Sequence, residues 1–255
     1  MILLLQYRTD VSGPHEVACF YDILKSKLSY NQYFILNMSS PKITQGMVED
    51  FIAKSDGVIL GGLAEGGFED LNNPKVPEEQ KQRFLKTVEL TSPIVQNLIK
   101  ENKPTLAICF GHQLVLKELG AKLSFDLQHQ ETGIYNIYLT PEAKQDRLFK
   151  NMPDSFGAVL GHKTSVVKLP DNPQYPIVHL AKSEKTPIQA VRIGKSFYST
   201  QFHPELTRQG LIDRLHQYPS YLKANPNAIK KIPDIKVEAN KLLLNWADFV
   251  EQNQI

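Results

Sequence analysis

The first 120 residues alternate short apolar runs with longer segments of helical period, and few folds accept that pattern. "ILLLQY", "YFIL", "GVIL" and "PTLAIC" are too short for buried helices and read as strands. Helix-period segments separate them: "HEVACFYDILKSKL", "TQGMVEDFIAKS" and a long stretch through "VQNLIKEN". After the fourth strand, "GHQLVLKELG" reads as a helix closed by Gly120. Strands joined through helices lie parallel and need cover on both faces. The expected class is therefore α/β, with a mostly parallel central sheet and helices on both faces.

Beyond Gly120 the strand-like runs crowd together: "GIYNIYLT", "GAVLGHK", "PIVHLAKS", "PIQAVRI" and "SFYSTQF". That spacing predicts an antiparallel extension of the sheet. Apolar residues at 235, 239, 242, 243, 246, 249 and 250 keep a 3.6 period and predict a helix over about 235–252, docked on the body. No repeat or interdomain linker interrupts the chain, so residues 1–255 are expected to form a single domain. The polar stretch "FEDLNNPKVPEEQKQ" reads as a loop.

Charge excludes some partners. With 29 basic and 27 acidic residues the net charge is +2, which argues against nucleic acid or a membrane surface as the main partner. The one basic cluster, "AIKKIPDIK", reads as a solvated face. "MILLLQYRTD" is too short for a membrane span or a signal segment and reads as a buried first strand. Cys19 and Cys109 do not make a disulfide framework, so a reducing, cytoplasmic compartment is expected. Neither metal-ligand spacings nor phosphate-binding glycine motifs occur, and no metal or cofactor is expected.

Cys109 stands in "AICFGHQLV", at the carboxyl end of a strand and the start of a helix. Ligands of open parallel sheets bind at that end. The helix N-terminus brings unpaired N–H groups and partial positive charge, which favours a nucleophilic thiolate. A sharp turn there needs small neighbours, which Ala107 and Gly111 provide. A free cysteine is more often inert core, and the rest of the chain decides. "FYSTQFHPEL" places His203 and Glu205 two apart, on one face of a strand by period two. A histidine held by a carboxylate is the base a cysteine nucleophile needs. "GVILGGLAEGG" adds Gly61 and Gly62, a bare backbone turn able to approach an oxyanion.

"ILGGL", "AICFGHQ" and "FHPE", in that order and spacing, resemble the class I, triad-type glutamine amidotransferases, and more narrowly the stand-alone branch similar to the glutaminase domain of GMP synthase. The resemblance runs from about residue 1 to about 215 and implies a flavodoxin-like fold. It implies Cys109 as nucleophile, His203 as general base and acid, and Glu205 as its orienter. Gly62 and Phe110 N–H groups would form the oxyanion hole. Gln113 would hold the amino-acid end of the substrate, with Gly133 a further pocket candidate. Gln189 and His112 read as structural, and Cys19 as core. Ala107 stands where the family has Gly, Leu63 where Pro often follows the glycines, and Thr164 of "HKTSVVKLP" where an acid is expected.

The implied reaction is hydrolysis of the glutamine side-chain amide through a γ-glutamyl thioester on Cys109, with ammonia passed to a separate synthase partner. One alternative is a γ-glutamyl peptidase or transferase acting on γ-glutamyl conjugates. Another is a partner-dependent regulatory or binding subunit with negligible activity alone. The segment 66–82 and the region after 205 are expected to flank the pocket.

Overall fold

The computed structural model describes residues 1–64 and 66–253. In chain order the elements are β1 (Ile2–Gln6), α1 (Ser12–Leu24), β2 (Tyr33–Asn37), α2 (Gln45–Lys54), β3 (Gly57–Leu60), α3 (Glu78–Lys100), β4 (Thr105–Ile108), α4 (Phe110–Glu118), β5 (Lys122–Ser124), β6 (Glu131–Leu139), β7 (Ser155–His162), β8 (Ser165–Lys168), β9 (Ile177–Lys182), β10 (Ala190–Ile193), β11 (Phe197–Thr200), α5 (Arg208–His216), α6 (Pro219–Ala224) and α7 (Asn240–Gln252). Nine strands form one sheet in the order β2-β1-β3-β4-β11-β10-β9-β6-β7. From β2 to β11 all neighbours are parallel. From β11 to β7 they are antiparallel. The expected α/β class with an antiparallel extension is what the chain adopts. The parallel order is that of flavodoxin-like sheets. β5 and β8 pair separately as a small antiparallel ribbon.

The strand runs are apolar without alternation because both faces are covered. In β1, Ile2 and Leu4 pack with Phe20 of α1 and Trp246 of α7. Leu3 and Leu5 pack on the opposite face with Val48 of α2, Val95 of α3 and Val115 of α4. Each fully buried side chain of this kind contributes about 1.5–3 kcal/mol. The sheet is thus clamped from both sides, with the carboxyl ends of its parallel strands held in register.

Three boundaries differ from expectation. α3 begins at Glu78, so only the first part of the polar stretch is loop. α5 and α6 lie in a region that carried no predicted element. α7 begins at Asn240, not near 235, because the chain before it is used in the sheet. Val237 bridges Gly157 of β7, whose N–H donates to Lys236 C=O (3.1 Å) and whose C=O accepts Glu238 N–H (3.0 Å). A Cβ at Gly157 would stand 2.4 Å from the Lys236 oxygen, so only glycine admits this contact.

Candidate active site

β4 and α4 meet at Cys109, whose backbone sits at φ 51°, ψ −96°. For a residue with a Cβ this costs about 1–3 kcal/mol and persists only where the surroundings enforce it. They do so here. The Cys109 N–H donates to Thr200 C=O at 2.8 Å, extending the β4–β11 ladder, and its C=O accepts the Gln113 N–H at 3.0 Å, opening α4. At Gly111 a Cβ would lie 3.1 Å from the Cβ atoms of Ala107 and Leu60. The two small residues flanking the cysteine are therefore what lets helix and strands close into the elbow.

His203 and Glu205 follow β11 and come together differently than expected. β11 ends at Thr200, and His203 makes one antiparallel bridge to Val159 before the chain turns at Pro204–Glu205. Pro204 has no N–H to continue a ladder, so a turn and not strand period brings the two side chains to one place. His203 Nδ1 donates to Glu205 Oε1 at 2.7 Å, with the residues 2% and 1% exposed. Burial alone would lower the imidazole pKa; Glu205 and the adjoining Cys109 sulfur override it and raise it to about 9. Burial works against the Glu205 charge too, and His203 with Arg214 holds its pKa down at about 2. Arg214 Nη2 lies 3.9 Å from Glu205 Oε1.

Above the elbow is a cavity of about 300 Å³ whose lining includes Cys109, Phe110, Gln113, Glu69, Lys163 and Thr164. Gln113 Nε2 donates to Thr164 C=O (2.9 Å) and to Gln201 Oε1 (3.3 Å). Gln201 Nε2 in turn approaches the Cys109 sulfur at 3.7 Å. Thr164 Oγ1 donates to Glu69 Oε2 at 2.5 Å, so a carboxylate reaches the place of Thr164 from the loop after β3.

Residues 49–211 match the sequence pattern described as glutamine amidotransferase class-I, well over half of the chain. The chain belongs to that family. The class-I domain is 33% identical over 165 residues to a glutamine-hydrolyzing GMP synthase of Thermotoga sp. strain RQ2, covering 64% of this chain and 27% of the synthase. The chain thus spans about a quarter of that relative's length. It is 27% identical over 167 residues to gamma-glutamyl peptidase 4 of Arabidopsis thaliana, covering 65% and 59% of the two proteins. A glutamine amidotransferase from Thermotoga maritima, known as a crystal structure, superposes with TM-score 0.69 at 19% identity, over 98% of this chain and 97% of that one, a likeness of fold.

Within this class-I domain the expected site residues divide. Cys109, Phe110 and Gln113 share the cavity, and His203 with Glu205 stands against the sulfur. The Gly62 N–H is elsewhere engaged, donating to Glu16 Oε1 at 3.1 Å. Gly133 lines a different cavity, of about 560 Å³, between β6 and the α5–α6 region. That separation arises because β6 joins the sheet through β9, four strands from β4. The segment 66–82 flanks the Cys109 cavity through Gly66, Gly67, Glu69, Asp70 and Gln80, whereas the region after 205 lines the Gly133 cavity.

The structural readings also find places. His112 is buried on Ser199 Oγ (2.9 Å), and desolvation pushes its pKa down to about 3. Gln189 ties buried Glu131 (2.6 Å) to Ser183. Cys19 is half-buried, and burial pushes its thiol up to about 12. Sequence reasoning missed Arg8, Glu16 and Arg214, which form the charged back of the site. It also missed Gln201, two residues before His203 and in plain view of the motif, and His162, held between Glu131 (3.2 Å) and Thr164 C=O (3.1 Å). Nothing in periodicity marks Glu16, which sits in a helix that otherwise reads as amphipathic.

Proposed function

We propose that the chain is a thiol-dependent glutaminase that hydrolyses the side-chain amide of glutamine and releases ammonia to a separate synthase subunit. The observation that carries this reading is Cys109, in a strained elbow on the cavity floor, beside an imidazole held by a carboxylate. The His203 pKa of about 9 keeps the ring protonated at neutral pH. Around it, Arg8, Arg214 and the imidazolium face Glu16 and Glu205, a surround with one positive charge in excess that favours negative charge at the reacting centre.

In this mechanism the ionised sulfur attacks the amide carbon. The carbonyl oxygen takes the negative charge near the Phe110 N–H at the start of α4. Collapse breaks the carbon–nitrogen bond, and His203 gives its proton to the departing nitrogen, which leaves as ammonia. His203, now neutral, takes a proton from water as that water attacks the γ-glutamyl thioester. The carbon–sulfur bond breaks, glutamate leaves, and the imidazolium and ionised sulfur are restored. In sum, glutamine and water give glutamate and ammonia. A reducing, cytoplasmic setting in which the thiol stays free belongs to this reading.

A second reading, a γ-glutamyl peptidase, draws on one observation. The Cys109 cavity shares Leu63 and Gln80 with a neighbouring cavity of about 310 Å³, room for a leaving group larger than ammonia. Competing glutamine with a γ-glutamyl dipeptide against the isolated protein decides between them. The glutaminase reading expects glutamine to have the higher kcat/KM. A preference of about tenfold for the dipeptide, equal to about 1.4 kcal/mol of differential transition-state binding, overturns it.

A further inference from the structure

The carboxamide of Gln201 belongs neither to the His203–Glu205 pair nor to the charged cluster behind it, yet it reaches the reacting atom. Its Nε2 lies 3.7 Å from the Cys109 sulfur, and the residue is 0% exposed. Backbone contacts set its place. Thr200 C=O holds the Cys109 N–H at 2.8 Å, and the Gln201 N–H donates to Gln189 C=O at 2.8 Å. The strand end that pins the cysteine backbone therefore also carries the side chain that meets its sulfur.

The sense of that amide is dictated from a backbone carbonyl. A carbonyl oxygen only accepts. Thr164 C=O takes one hydrogen of Gln113 Nε2, at 2.9 Å. The other hydrogen of that nitrogen goes to Gln201 at 3.3 Å, so Gln201 presents its oxygen there. Its NH2 end is then turned to the sulfur, and an NH2 group only donates. His162 Nδ1, 3.1 Å from the same Thr164 oxygen, donates to it as well and steadies the start of the line. On the other side stands His203, its Nδ1 engaged by Glu205 and its ring protonated, with its second N–H directed at the sulfur. The sulfur thus meets two donors. A thiol sulfur is a weak acceptor, whereas an ionised one takes both bonds.

We propose that Gln201 is a further catalytic residue, whose amide N–H donates to the Cys109 sulfur, favours its ionised form and aims it at the substrate carbon, while Gln113 is the positioning residue that keeps the donor end of Gln201 turned inward. This rests on Cys109 being the nucleophile of the proposed reaction. The bond acts twice. Before attack it supports the charge on sulfur. When water resolves the thioester, the carbon–sulfur bond breaks and its electron pair returns to the sulfur, where the same N–H meets the returning charge. A hydrogen bond to a charged partner is worth about ten- to a hundredfold.

The test follows Cys109 itself: the pH midpoint of its alkylation by iodoacetamide, read on the Cys109 peptide by mass spectrometry, beside kcat for glutamine, all in the full chain. Gln201→Met keeps the length of the side chain and removes the donor. It is expected to raise the midpoint by about one pH unit and to lower kcat about tenfold, with KM little changed. Gln113→Leu leaves Gln201 in place but frees its amide to turn, and is expected to move the midpoint the same way by less. A role in packing alone would lower the rates without moving the midpoint. An unmoved midpoint in Gln201→Met, or a wild-type kcat in that variant, overturns the proposal; an unmoved midpoint in Gln113→Leu overturns the part given to Gln113. Should Gln201→Met fail to fold, the Gln113→Leu midpoint decides: moved, it supports the donor, and unmoved, it overturns it. A raised midpoint in Gln201→Met with no glutamate released from glutamine by the wild type keeps the Gln201 donor and removes the glutaminase reading instead.

Discussion

On the cavity side of the Gly61–Gly62 turn, polar groups face open space: the Cys109 sulfur, Gln113 and Glu69 all line a cavity of about 300 Å³. On the α1 side, Arg8, Glu16, Glu205 and Arg214 are packed against one another with almost no access to solvent. The first side has room for a small molecule. The second cannot touch one, yet it holds more charge. Buried ion pairs are poor sources of net stability, because desolvation offsets most of the attraction. A charged cluster in such a place is better understood through what it fixes: the protonation of His203 and the direction of one amide.

Removing the reacting groups should have the largest effect. Cys109→Ala and His203→Ala are each expected to lower kcat by about 10⁴ or more, and the double variant little further, because sulfur and imidazole act as a unit. Initial rates of glutamate release check this. Additive losses would mean that the two do not share a step. Glu205→Gln, which belongs to the sealed side, is expected to cost about 10²–10⁴ in kcat with KM little changed, since it removes the charge that supports the imidazolium. A wild-type rate in that variant would separate the two sides altogether.

How far the sequence foretold each side follows from what patterns can encode. The parallel strands were legible because burial on both faces leaves uninterrupted apolar runs, as in β1 and β3. The cysteine elbow was legible because the turn demands small residues at 107 and 111, next to the thiol. The sealed cluster was not. Arg8, Glu16 and Arg214 are about 200 residues apart at the extremes, and only the closed fold brings them together. Glu16 occupies an α1 position buried by charge pairing, where periodicity expects an apolar residue. The meeting of His203 with Glu205 was foreseen, but its cause was a turn at Pro204 and not strand alternation. The start of α7 was misplaced because Ile235 and Val237 are apolar for packing beside β7 and not for a helix.

A smaller effect should appear in stability against pH. In the folded state His203 titrates at about 9 against an ordinary 6.5, so its pairing with Glu205 stabilises the fold fully below about pH 6.5 and is lost as pH rises through about 9. The thermal midpoint of wild type over His203→Gln is therefore expected to be greatest near pH 6 and to shrink by about pH 10. A difference that grows with pH would mean that the ring is neutral in the native state and that the sealed side does not hold its proton.

The central claim is that Cys109 carries the γ-glutamyl group. Acid quenching during steady-state glutamine hydrolysis, followed by peptide mapping by mass spectrometry, tests it most directly. A glutamyl adduct on the peptide containing Cys109, absent in Cys109→Ala and absent from the Cys19 peptide, is the predicted result. An adduct on Cys19, or steady glutamate release by Cys109→Ala, would contradict it.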